Sequence, residues 1–150
     1  MQPIIPFLWY NTNAEEAVAF YQSIFEQSRI LSVKRNGKGA PGPEGAVMLI
    51  SFELNGQQFI ALNGGPHFTF NEAVSFVVSC KTQREIDHYW ERLTEGGSAG
   101  QCGWLKDKFG VSWQVVPTDI DQLLSSDKAM QAMMKMSKLE IEVLKQANKE

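Results

Sequence analysis

The sequence predicts an α+β protein made of two βαβββ modules, followed by a helical C-terminal tail. Three observations predict it. Short runs of apolar, aromatic and β-branched residues are punctuated by turn residues in the order strand, helix, strand, strand, strand. That order then repeats: a shift of 69 residues carries Asn13 onto Thr82, Glu16 onto Glu85, Phe20-Tyr21 onto Tyr89-Trp90, Ile24 onto Leu93 and Phe7 onto Phe76, which reads as an internal duplication. Residues 119–150 are helical in composition. A chain of 150 residues suits a single domain, divided into module one at about 1–64, module two at about 70–117 and the tail at 119–150.

Residues Ile4 to Tyr10 have the length and apolar character of a first strand, closed by Asn11-Thr12-Asn13. Asn13 with Glu16 resembles a capping box, and Ala17, Phe20, Tyr21 and Ile24 recur at helical spacing to about Phe25. Arg29 to Arg35 and Ala46 to Leu54 are the next strands, separated by Gly37 to Gly45, which is too rich in Gly and Pro for regular structure and is expected to be a mobile lid. Asn55-Gly56 is a type I′ hairpin signal that returns Gln57 to Leu62 antiparallel to the strand before it. In module two, Ala73 to Cys80 is a strand, Thr82-x-x-Glu85 a second capping box, and three short strands follow Gly96-Gly97. The last two are joined by a turn over Asp107 to Gly110, where Lys106, Asp107 and Lys108 read as solvated charges. The tail is expected to hold two helices with a break near Ser137, whose Ser-Lys-Leu-Glu run is a third capping box.

Composition sets limits on function. With 43% hydrophobic and 21% charged residues and a net charge of -3, the chain has no electrostatic reason to bind a polyanion, so nucleic acid is not an expected partner. No uncharged run approaches the roughly 18 residues of a spanning helix and no basic leader precedes an apolar run, so no membrane partner and a cytoplasmic location are expected. Cys80 and Cys102 lack CxxC spacing and read as free thiols. The glycine patterns of nucleotide sites and the HExxH pattern of zinc proteases are absent.

Paired βαβββ modules resemble the vicinal oxygen chelate superfamily, which includes glyoxalase I, extradiol dioxygenases and the fosfomycin and bleomycin resistance proteins. The runs Asn13 to Tyr21, Leu62 to Pro66 and Cys102 to Gln114 resemble its PhnB-like branch, described as 3-demethylubiquinone-9 3-methyltransferase. The resemblance implies that the two modules form a glyoxalase-like concave sheet, into which, in metal-using relatives, ligands point from the first and last strands of each module. The resemblance places Pro6, Ala61, Ser75 and Gln114 at those positions. None offers the imidazole, carboxylate or thiolate that a divalent ion needs, so no metal is expected. No cofactor is expected either, because Gly37 to Gly45 lies between antiparallel strands rather than between a parallel strand and a helix. A homodimer is the assembly the resemblance implies.

On the concave face, Ser75 and Gln114 should meet, as ligand contacts or as a structural hydrogen-bonded pair. Alternation adds Leu8, Tyr10, Phe59 and Asn63 as candidate ligand-binding residues, with Asn63 alternatively serving the turn before Gly64. His67, in a loop, is a candidate acid or base, and Cys102 a candidate nucleophile for which no activating group is visible. No catalytic residue is assigned. The function expected is metal-free binding of a small, partly aromatic or apolar molecule. The alternative is an enzyme acting on a small carbonyl, phenol or quinone.

Overall fold

The computed structural model describes residues 2–150, which form two compact units meeting in sequence between Thr69 and Phe70. In the first, β1 (Phe7–Tyr10), α1 (Ala14–Ile24), β2 (Ser28–Arg35), β3 (Val47–Leu54) and β4 (Gln57–Asn63) give a four-stranded sheet of order β1-β4-β3-β2. β1 runs parallel to β4 and the other pairs are antiparallel. Asn55 and Gly56 both have positive φ, 48° and 86°, as the type I′ turn between β3 and β4 demands.

One face of this sheet lies under α1. Ala14, Ala17, Val18, Tyr21 and Ile24 of the helix are buried against a layer containing Leu8, Tyr10, Ile50, Phe52, Phe59 and Ala61. The Phe52 ring stacks between Tyr21 and Phe59, at 6.4 and 5.4 Å between centroids. Full burial of such side chains stabilises by roughly 1.5–3 kcal/mol each. The tyrosine hydroxyls that enter this layer satisfy each other, Tyr10 Oη to Tyr21 Oη at 3.0 Å. The expected Asn13 capping box does not form. The Ala14 N–H instead donates to Asn63 Oδ1 at 2.8 Å, so the end of β4 caps the helix that crosses it.

The second unit repeats the plan with β5 (Ser75–Cys80), α2 (Gln83–Thr94), β6 (Ser98–Ala99), β7 (Trp104–Lys106) and β8 (Ser112–Pro117), in the sheet order β5-β8-β7-β6. Here the Thr82 cap is made, its Oγ1 accepting from Glu85 N at 3.2 Å. Ile86 and Leu93 of α2 and Val78, Cys80, Leu105, Trp113 and Val115 of the sheet are buried.

The tail folds as three helices rather than two: α3 (Ile120–Leu123), α4 (Asp127–Met134) and α5 (Ile141–Lys149). The break falls where Ser137 places it, but the Ser137 box does not cap α5, which begins after Glu140 without a side-chain cap. Gln83 of α2 takes that role: its Oε1 accepts from Ile141 N at 2.8 Å and its Nε2 donates to Leu139 O at 3.0 Å. Leu139 is fully buried, Lys138 pairs with Asp87 at 2.8 Å, and the N–H groups of Cys102 and Gly103 donate to Met136 O and Ser137 O, each at 2.8 Å. The tail is thereby fixed to module two. Among the described residues no helix is long and apolar enough to cross a membrane.

Candidate functional site

In each unit the sheet face away from its helix is open. In module two this face carries Ser75 and Val77 from β5, Trp104 and Lys106 from β7, and Gln114 and Val116 from β8, by alternation and register. Gln114 Nε2 donates to Ser75 Oγ at 3.0 Å, so the two residues do meet. Val77 beside them is 59% exposed. A cleft of about 280 Å³ opens on the β6–β7 side, lined by Glu72, Ser98, Trp104, Lys106 and Ser112 among others.

The turn between β7 and β8 holds this face in place. Asp107 is only 3% exposed, which corrects its reading as a solvated charge. Its Oδ1 accepts from the N–H groups of Phe109 at 2.8 Å and Val111 at 3.0 Å, and its Oδ2 accepts from Trp113 Nε1 at 2.9 Å. Gly110 turns the corner at φ +90°, a conformation open to a residue without Cβ. One carboxylate thus sets the register in which Gln114 faces outward.

Module one differs from the expectation. Leu8, Tyr10 and Phe59 are 6%, 2% and 5% exposed and lie in the layer under α1, not on the open face. Asn63 is also on the helix side: besides capping Ala14 it donates through Nδ2 to Glu15 Oε1 at 2.6 Å and Val47 O at 3.0 Å. The cause is a single residue. Two residues, Asn11 and Thr12, separate β1 from the residue before α1, but Lys81 alone separates β5 from Thr82. The helices therefore match with a shift of 69 while the strands match with a shift of 70, Tyr10 on Cys80. An odd slip exchanges the two faces of a strand. The open face of module one consequently carries Phe7 and Trp9, Leu49 and Ser51, and Ile60 and Leu62. Trp9 is pinned there: its Nε1 donates to Gly65 O at 2.9 Å, its ring meets the Phe68 edge at 4.8 Å, and a Cβ on Gly64 would collide with it.

His67 is exposed and lines a separate cleft of about 510 Å³ with Asn11, Glu15, Asn36, Pro43 and Asn63. Its ring also meets Trp9 of the module-one open face edge-on, with centroids 6.5 Å apart. The Gly37 to Gly45 segment borders the same cleft and is closed on itself, with Asn36 Nδ2 donating to Pro43 O at 3.1 Å. Cys102 sits in the turn tied to the tail, at φ +59°. Cys80 is buried, and burial, reinforced by the Glu85 carboxylate, pushes its thiol up to about 12, far from a nucleophilic thiolate at neutral pH.

The 3-demethylubiquinone-9 3-methyltransferase family model matches residues 2–116. The chain belongs to this family. Residues 117–150 lie outside the match. The PhnB protein from Bacillus cereus is 40% identical, with a TM-score of 0.71 over 77% of this chain and 99% of that one. A Pseudomonas aeruginosa protein shares the fold at 21% identity and a TM-score of 0.65, over 78% of this chain and 98% of that one. The fosfomycin resistance protein FosX from Listeria monocytogenes shares it at 14% identity and 0.58, over 83% and 98%. No curated protein sequence matches the chain.

The vicinal oxygen chelate fold to which this family and FosX belong carries metals in some members, and FosX has been solved with Mn(II). In this member of the family the register moves the two module-one positions. Gln114 lies opposite Val77 as Ile60 lies opposite Phe7, so Ile5 and Ile60 replace Pro6 and Ala61 as the counterparts of Ser75 and Gln114. The module-one pair is two alkyl side chains and the module-two pair a hydroxyl and an amide, and neither offers the ligand a divalent ion needs. Among the described residues no group of three or more His, Cys, Asp or Glu could hold one.

Proposed function

We propose that this family member binds a small, partly aromatic or apolar molecule on its open sheet face without a metal or cofactor, working as a cytoplasmic homodimer. The observation that carries this reading is the Gln114–Ser75 pair. After its mutual bond the pair retains an amide oxygen, an N–H and a hydroxyl proton for a ligand, and its neighbours Val77, Val116 and Trp104 are apolar. A few convergent polar groups on an apolar lining are what small-molecule sites use. The family's name describes methyl transfer, yet Gly37 to Gly45 joins the antiparallel strands β2 and β3 and presents no helix N-terminus to a nucleotide-bearing cofactor.

A titration of the full-length protein with small phenols, quinones and aromatic amides, followed by ¹H–¹⁵N correlation spectra, tests the reading. Shifts centred on Ser75, Val77 and Gln114 are expected, and Gln114→Ala should weaken the best ligand about tenfold, the scale of one buried hydrogen bond. Absence of saturable shifts on either open face overturns it. Turnover of the bound molecule would convert the binder into an enzyme that uses the same pair.

A further inference from the structure

Among the described residues one buried side-chain oxygen, Ser112 Oγ, has no hydrogen-bond partner. Ser112 is 1% exposed and stands in the middle of module two's sheet, opposite Ser75 on one side and Lys106 on the other. An orphan hydroxyl in a packed sheet is uncommon, because the lost solvation is not recovered. It is also a wall of the cleft of about 280 Å³ described above. At the exposed end of that cleft the Lys106 ammonium is ion-paired with Glu72, whose side chain is 61% exposed and rides on the irregular segment before β5. The Glu72 carboxyl is held below its usual range chiefly by its hydrogen bond with Lys106, so it stays ionised on the lysine at neutral pH.

We infer that this cleft takes the acid group of a small aromatic acid. A ligand carboxylate or other oxyanion replaces Glu72 on Lys106, accepts a hydrogen bond from the Ser112 hydroxyl, and lays its ring along Trp104. Exchanging one carboxylate for another on Lys106 costs little, since the charge pairing is regained. The ligand's added gain is the hydrogen bond to Ser112, which nothing in the free chain supplies. The cleft volume accommodates a single ring with its acid group. This inference rests on the open-face reading above and narrows it to anionic ligands.

The test is a set of NMR titrations of the full-length protein with benzoate, phenylphosphonate, inorganic phosphate and benzyl alcohol. Benzoate or phenylphosphonate is expected to shift Ser112, Lys106, Glu72 and Trp104 and to bind about tenfold tighter than benzyl alcohol, the scale of one charge-assisted hydrogen bond. Glu72→Gln should tighten benzoate several-fold by removing the internal competitor. Lys106→Met should abolish the preference for benzoate over benzyl alcohol. Ser112→Ala should weaken benzoate yet raise the melting temperature of the free protein, a pairing that a purely structural serine would not give. Equal binding of benzoate and benzyl alcohol on the open face overturns the anion site and leaves the proposed function standing. Phosphate binding as tightly as phenylphosphonate overturns it in favour of a bare ion site. Shifts confined to residues outside both open faces, for every probe, overturn both readings.

Discussion

Asp107 shows how far a side chain's role departs from its neighbours in sequence. Flanked by Lys106 and Lys108, it has the composition of a solvated turn, but its position ahead of Gly110 and Trp113 gives it three N–H donors to gather. The readable signal was its place at the start of the turn, where Asp accepts from the N–H two residues on. Asp107→Ala strands those donors and should lower unfolding free energy by about 3 kcal/mol in urea titrations. An effect under half a kcal/mol would show the turn to be held by other contacts. Cys80 makes a second residue-scale prediction. Its folded value of about 12 lies above the ordinary 9.0, so between these limits the unfolded chain loses the proton first and stability falls as pH rises. Below pH 9 the thiol contributes no slope. Wild type should therefore lose more stability than Cys80→Ala between pH 8.5 and 10.5, and parallel curves would contradict the assignment.

At the scale of elements, most strands and both module helices were legible, because apolar alternation and helical spacing are strong where one face is buried. Asn55-Gly56 fixed the β3–β4 hairpin, and Thr82 fixed the start of α2. What could not be read was phase. The extra residue between β1 and α1 is invisible to a pattern counted from the helices, and it reversed the faces of Leu8 and Tyr10. Ser75, reached by carrying Pro6 forward through the 69-residue offset, does meet Gln114, because both residues lie on one face of the parallel β5–β8 pair. The caps of α1 and α5 were illegible for another reason: Asn63 and Gln83 reach them from elements distant in sequence. The β2–β3 connection gives a test of element independence. Asn36 N–H already bonds Ala46 O, and Gly45 N–H bonds Asn36 O, so deleting Lys38 to Glu44 leaves a Gly-Gly hairpin turn. Far-ultraviolet dichroism and urea unfolding should then match wild type to within about 1 kcal/mol. Loss of the cooperative transition would show that the loop is part of the fold.

At the scale of the whole chain, apolar side chains from the strands of both sheets stand exposed. Phe7, Ile30, Val33 and Val77 are each close to half exposed or more, and β2 is an edge strand of the kind that proteins cover or pair. This supports the proposed homodimer. Light scattering at micromolar concentration should give twice the chain mass, with Val33→Lys shifting the equilibrium toward monomer. A monomeric mass for the unaltered protein would refute it. Residues 136–141 carry a different consequence, one of timing. They supply the carbonyls for Cys102 and Gly103, the buried Leu139 and the partner of Gln83, and they are translated after every strand of module two. Module two waits, with those amide groups unanswered and the Leu139 seat empty, until the tail leaves the ribosome, so a chain cut short in the tail has a half-finished second module.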